Sequence, residues 1–395
     1  MFRSLIKSYR GKSDYVHNSV TSMFIFLLIP LFILSCSEVM EKPVTEQTVT
    51  VLEAKDSLRS YPETLSIIGV GDIMMGSNYP SARSLPPDDG AYLFESVKNI
   101  LPDANITFGN LEGTFLNAGG IPKRCSSPSN CVSFRMPEHY ADYLKDAGFD
   151  VVSIANNHFG DMGDIGRTST INTLDRYGIK YAGSLSNPFS ILEVNGIRIG
   201  IVAFAPNTGT LSINDLEGAV DIVTALQNIC EVLIVSIHGG AEGTSSQRVN
   251  RKREFYLGED RGNVYEFSHA VIDAGADVVF GHGPHVARAI ELYNGRIVAY
   301  SLGNFCTYGK FGLSGALGYA PILKIFVDRK GEFIEGKITS AKQVNGGFPV
   351  LDPEDNALKL IRELSLKDFP ESALTIEMDG NVIRSDITRQ LSSIK

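Results

Sequence analysis

The chain has 395 residues and a formal net charge of −9, and its apolar and charged fractions, 43% and 21%, are those of an ordinary folded protein. This composition excludes a disordered chain, and the acidic balance argues against a nucleic-acid binder, which needs a basic face to meet phosphates. The length suits one large domain with extensions.

Lys7, Arg10 and Lys12 give a basic start, followed by an apolar run over 23–34 that only Pro30 interrupts. The run is too short to span a bilayer comfortably and fits the core of a signal peptide. It ends in Ile33-Leu34-Ser35-Cys36, a lipobox-like sequence in which the cysteine is acylated and becomes the new N-terminus. Three readings fit: a lipoprotein anchored through Cys36, a plain cleaved signal, or an uncleaved anchor. The first is preferred, with 1–36 as signal peptide, and all three place the folded part outside the cytoplasm. Residues 37–63 are polar and read as a flexible tether, with a short strand expected over 48–52.

From Leu65 onward, apolar runs of strand length recur at 65–70, 106–108, 151–155, 197–205, 232–237, 278–280 and 296–301. Helical patterns intervene at 94–101, 138–147, 168–177 and 264–274, and Gly148, Gly178 and Gly275 stand where a helix end needs a left-handed residue. This alternation predicts an α/β domain over 64–346. Residues 347–395 read as a C-terminal tail or packing extension, with a short helix near 353–366 and a hairpin around Asp379-Gly380. Cys125 and Cys131 flank a short polar loop and would pair in an oxidising space, the alternative being two free thiols. Cys230 and Cys306 lie in apolar segments and read as small buried hydrophobes.

Ligand-type side chains gather directly after the apolar strands, where open α/β sheets build their sites. Asp72 follows the first run, Glu112 the second, and Asn156-Asn157-His158 with Asp161 the third. His238 and Glu242 follow the fifth, and His282 and His285 the sixth. Four of the seven histidines thus stand at strand ends, too many to be explained as helix caps or packing. Carboxylate and amide oxygens mixed with imidazoles, without thiolates, suit two divalent metal ions such as Mn, Fe, Zn or Mg. Paired cations need a bridging carboxylate, and together they activate water and polarise a scissile group. A histidine that is not a ligand, His158, would then protonate the leaving atom.

The segments Gly71-Asp72-Ile73-Met74, Asn110-Leu111-Glu112, Ala155-Asn156-Asn157-His158, His238 with Glu242, Gly281-His282-Gly283-Pro284-His285 and Tyr300-Ser301-Leu302-Gly303-Asn304-Phe305 occur in one order. In that order they resemble the motif series of the CapA family of poly-γ-glutamate capsule synthesis proteins, which is related to calcineurin-like metallophosphoesterases. The resemblance covers about 65–345. It implies a four-layer α/β/β/α sandwich with metals at the strand ends. It also implies Asp72 as first-metal carboxylate, Glu112 as bridging ligand, Asn157 as amide ligand, His238, His282 and His285 as imidazole ligands, and His158 as acid. Asn156, Asp161, Glu242 and Asn304 would support ligands or touch substrate.

Three positions depart from the patterns. Met74 stands where phosphoesterases carry a histidine, Gly239 where the family commonly has tryptophan, and two residues separate His282 from His285 where phosphoesterases have one. The stretch 255–262 is distinctive and unassigned. Three functions fit: synthesis, release or anchoring of an anionic envelope polymer beside a membrane-bound synthesis complex; metal-dependent hydrolysis of another envelope phosphoester or amide; or a binding subunit without metals.

Overall fold

The computed structural model describes residues 64–124 and 131–385. Cys36, the strand expected over 48–52 and Cys125 lie outside the described residues. Cys131 is disulfide-bonded, and its pairing with Cys125 stays the expectation stated above. No helix among the described residues is long and apolar enough to cross a membrane.

The strands of the two main sheets, in chain order, begin with β1 (Thr64–Met74), β2 (Ile106–Leu111), β3 (Val151–Ser153) and β4 (Lys180–Ala182). They continue with β5 (Phe189–Val194), β6 (Ile197–Ala205), β7 (Leu211–Ser212), β8 (Val232–His238), β9 (Val278–His282), β10 (Ile290–Tyr293) and β11 (Arg296–Ala299). The last are β12 (Asn304–Thr307), β13 (Ile322–Asp328), β14 (Phe333–Thr339), β15 (Leu374–Ile376) and β16 (Asn381–Arg384). The helices are α1 (Tyr140–Asp146), α2 (Gly163–Tyr177), α3 (Leu216–Gln227), α4 (Val264–Asp273) and α5 (Asn356–Asp368).

One sheet runs β15-β16-β14-β13-β1-β2-β3-β4, with β12 also on β1, and the other runs β10-β11-β9-β8-β6-β5, with β7 on β6. Their inner faces share a core that includes Ile67, Phe108, Ile201, Ile234 and Phe280. Phe108 and Phe280 stack across it at 5.6 Å. The outer face of the first sheet packs Val70 and Val152 against Tyr140 and Leu144 of α1 and Leu174 of α2. On the second sheet α3 and α4 take the outer face, where Phe204 meets Phe267 edge-on at 5.1 Å. The layers are therefore α/β/β/α, as the family resemblance implies. The central strands are buried on both faces, which is why they read as continuous apolar runs.

One local expectation is corrected, and one helix is unanticipated. Residues 94–101 form successive tight turns, not a helix: Val97 N–H bonds the Phe94 carbonyl and Ile100 N–H that of Val97. The turns put Phe94, Val97 and Leu101 into the core without an α ladder, so the apolar spacing is met by another route. Helix α3 was not predicted, because Val220, Ile222, Val223 and Thr224 carry strand-favouring branches. Its spacing of buried Gly218, Ala219, Ile222, Val223 and Leu226 is nonetheless helical, and the Asp215 side chain caps it by accepting from Gly218 N–H.

The C-terminal segment packs as an integral part of the sandwich. β16 pairs with β14, and Leu358 and Ile361 of α5 join the core between the sheets. Cys230 and Cys306 are free and buried.

Strand β1 changes neighbour at the site. Thr64–Val70 pairs antiparallel with β13, whereas Asp72, Ile73 and Met74 pair parallel with β12. The ladder to β2 also breaks between Gly69 and Asp72. The exchange opens the sheet where its carboxyl ends finish.

Candidate metal centre

Register brings the strand ends together. Asp72 is the partner of Asn110 on β2 and of Asn304 on β12, and His238 is the partner of His282 on β9. Asp72 is fully buried, and its Oδ1 accepts from Asn110 Nδ2 at 2.8 Å. Its Oδ2 lies 2.9 Å from His285 Nδ1, and its Oδ1 lies 3.5 Å from His282 Nδ1. Burial raises the Asp72 carboxyl, but the contacts with His282 and His285 outweigh it and hold the group well below the usual carboxylate range.

Glu112 is also fully buried, with neither carboxyl oxygen bonded. Burial pushes its carboxyl well above the ordinary value, and the Asp72 and Glu242 charges add to the rise. His285 Nε2 lies 3.7 Å from Glu112 Oε1 and 3.8 Å from Glu242 Oε2. Burial alone would lower the His285 imidazole, but Glu112 and Asp72 win, and it is pushed up to about 10. His285 has φ +58°, a left-handed conformation that costs a side-chain-bearing residue on the order of 1–3 kcal/mol and is found at functional sites. Asn304 Oδ1 lies 3.2 Å from His285 Nδ1, while Asn304 Nδ2 donates to the Leu317 carbonyl.

His238 joins the cluster through Asn110, whose Nδ2 lies 3.4 Å from His238 Nδ1. On its other side Arg261 Nη2 lies 3.5 Å from His238 Nε2. Burial and then the Arg261 charge lower the His238 imidazole well below its ordinary value, leaving it neutral and able to donate a lone pair.

The turn after β3 carries the acid candidate. Asn156 Nδ2 donates to Asn110 Oδ1 and the Leu111 carbonyl, and its Oδ1 accepts from His158 N–H. Asn156 therefore shapes the turn. Asn157 Oδ1 is buried without a partner. His158 Nδ1 lies 2.7 Å from Asp161 Oδ2, its ring stacks on Phe134 at 4.2 Å, and its Nε2 lies 3.9 Å from Glu112 Oε1. Burial lowers the His158 imidazole to about 4, against the pull of Asp161.

The residues present fit divalent cations. Asp72, Glu112 and His285 offer donor atoms that all lie within 4.8 Å of one another. Buried polar atoms without a hydrogen-bond partner in this cluster include both oxygens of Glu112, Oδ1 of Asn157 and both ring nitrogens of His282. Orphaned buried atoms are rare, and hard oxygens with imidazoles are the donors such cations take. At the departures, Met74 is fully buried in the core on the helix side and supplies no donor. A Cβ on Gly239 would sit 2.9 Å from the Arg261 carbonyl, so the segment ending in Arg261 occupies the space a tryptophan would need.

Several neighbours were not read from the sequence. Asn110 had a signal, since it alternates with Glu112 on one strand face. Arg261, Lys123 and Phe134 had none, because they arrive from segments remote in the chain. Arg261 is 1% exposed and lies 3.2 Å from Glu242 Oε1, on a segment held down by the buried pair Arg288–Glu254 at 2.7 Å.

The family described as bacterial capsule synthesis protein PGA_cap matches residues 66–308. The capsule biosynthesis protein CapA of Bacillus anthracis is 28% identical over 262 residues, covering 62% of this chain and 60% of its own. The PGA biosynthesis protein CapA of Bacillus subtilis (strain 168) is 28% identical over 259 residues, with 62% and 63% covered. The match thus spans less than two thirds of either relative. Among solved structures, a 5'-nucleotidase precursor from Thermus thermophilus aligns at TM-score 0.39 and 14% identity, over 77% of this chain and 58% of that one. With its matched segment covering well over half of the sequence, the chain belongs to the bacterial capsule synthesis protein PGA_cap family.

Proposed function

We propose that this protein is exported, tethered to the membrane through Cys36, and binds two divalent cations (Mn, Fe, Zn or Mg) at its strand ends. There it acts in the synthesis, release or anchoring of an anionic envelope polymer of the poly-γ-glutamate type, beside a membrane-bound synthesis complex. The observation that carries the metal centre is the set of orphaned buried donors on Glu112, Asn157 and His282. The names of the Bacillus relatives support the polymer.

Bound cations would supply an activated water and polarise the scissile group. Asp72 is held ionised to receive them, His238 is held neutral, and Glu112 stands between Asp72 and His158. Asp161 Oδ2 accepts the Nδ1 proton of His158, which leaves Nε2 facing the Glu112 side. In this tautomer Nε2 is unprotonated, so it would first take up a proton, from water on that side, and then pass it to the departing group.

A second reading, hydrolysis of another envelope phosphoester or amide, is favoured by the same His158–Asp161 pair, which a pure binding subunit does not need. Full-length protein in detergent, loaded with Mn²⁺, is expected to hold two ions per chain and to shorten poly-γ-glutamate. His158→Gln should keep the metal and lose on the order of 10²–10⁴ in rate. Cleavage only of a phosphodiester probe would favour the second reading, and retained metal with no cleavage would favour a binding role. Less than one ion per chain would remove the metal centre. For the tether, Cys36→Ala is expected to abolish labelling by a palmitate analogue. A wild type that takes no label yet fractionates with membranes has an uncleaved anchor instead.

A further inference from the structure

We propose that Lys123 is a positioning residue of the metal centre, tying the Asn157 ligand turn to the His158–Asp161 pair; this rests on the two-cation reading above. Lys123 comes from the segment after the short strand Thr114–Phe115, far in sequence from the residues it meets. Its backbone N–H bonds the Asp161 carbonyl at 2.8 Å, which docks the segment beside the site. Its ammonium nitrogen lies 2.8 Å from Asp161 Oδ1, donates to the Asn157 carbonyl at 2.9 Å, and sits 3.1 Å from His158 Nδ1.

Proton counting assigns these contacts. An ammonium only donates, and Nδ1 of a neutral imidazole either donates or accepts. His158 Nδ1 is closer to Asp161 Oδ2, at 2.7 Å, than to Lys123, so its proton goes to Asp161. Lys123 Nζ then donates to the Asn157 carbonyl and faces Asp161 Oδ1 as an ion pair, without a hydrogen bond to that oxygen. One cation thereby fixes both the carboxylate that orients His158 and the backbone that aims the orphaned Asn157 Oδ1.

The Asp161 side chain is fully buried and that of Lys123 is 21% exposed, so the cation compensates a charge that water does not reach. Phe134 closes the same socket, stacking on His158 while its N–H bonds Asp161 Oδ2 at 2.5 Å.

The test reads metal binding and not turnover. Lys123→Met is expected to weaken binding of the second Mn²⁺ about 10- to 100-fold, the range for partners that orient a ligand. The exchange-coupled Mn²⁺ pair signal in electron paramagnetic resonance should give way to that of isolated ions. Lys123→Arg, which can span both oxygens, should restore the pair, and Arg124→Met, an exposed neighbouring cation, should match wild type. If Lys123→Met folds poorly, Lys123→Gln carries the same titration.

A wild type that holds two ions, with Lys123→Met holding both at a Kd within about twofold, would overturn this inference alone. A wild type that never holds two ions would overturn it together with the two-cation reading.

Discussion

Replacing Glu112 by glutamine is expected to strip the protein of its metal while leaving the metal-free fold intact. Both oxygens of Glu112 are buried without hydrogen-bond partners, and burial favours its neutral form in the metal-free protein. A neutral amide of the same shape therefore changes little until a cation arrives. With a cation present, the loss is that of a direct ligand, and the affinity should fall by more than the about 10- to 100-fold that a ligand's supporting partner controls. At a metal concentration about 100 times its Kd the wild type gains about 2.7 kcal/mol of apparent stability. E112Q should lose that gain, read as a melting temperature that no longer rises with added Mn²⁺.

The pH dependence follows from the same groups. In the metal-free protein Glu112 and His285 titrate as a pair: burial raises the Glu112 carboxyl, and the negative charge of Glu112 and Asp72 pushes His285 up to about 10, so the pair retains a proton. That proton must leave for both donors to bind, so protons compete with metal, and affinity should rise as the pH approaches about 10. Calorimetry in buffers of different ionisation enthalpy should show proton release on binding, smaller in E112Q. Wild-type metal affinity in E112Q would show that Glu112 is not a ligand.

Gly281→Ala should unfold the domain more readily than any change of similar size on its surface. Gly281 immediately precedes His282 on β9, and a Cβ there would lie 2.1 Å from the Tyr300 carbonyl oxygen and 2.9 Å from that of Ala299. These are backbone atoms, which no rotamer change moves aside. The Leu302 N–H also bonds the Gly281 carbonyl at 3.0 Å, so the following segment cannot retreat without breaking a buried hydrogen bond. Overpacking costs typically about 1–3 kcal/mol, and a clash with two backbone carbonyls should cost the upper end or more. The urea midpoint should fall with an unchanged slope. Gly312→Ala, where the added carbon meets nothing nearer than Leu317 Cδ1 at 3.8 Å, should move the midpoint far less. A wild-type midpoint in G281A would mean that the strand spacing relaxes freely.

Much of the site is legible in the sequence because burial and chemistry separate cleanly along the chain. A strand buried on both faces reads as an unbroken apolar run, so a carboxylate or imidazole at its end stands out against it. Asp72 after Ile67-Ile68-Gly69-Val70, and His238 after Leu233-Ile234-Val235, are of this kind. Helices α1, α2 and α4 are legible from their spacing and the glycines after them. Helix α3 and the turns over 94–101 are not. In both, tertiary packing chose between local conformations that the residue types leave close in energy.

By itself, then, the sequence determined the α/β alternation, the placement of Asp72, Glu112, Asn157, His238, His282 and His285 at segment ends, and the family. Only the tertiary structure decided what meets there. The exchange of β1 from β13 to β12 at Asp72, and the bond from Asn110 to Asp72, depend on strand register. Arg261 beside His238 and Lys123 between Asp161 and Asn157 depend on where two remote segments dock. Side-chain periodicity is a local property that each segment carries wherever it goes. A contact between segments is set by how their buried faces pack against each other, and no pattern within either one records it.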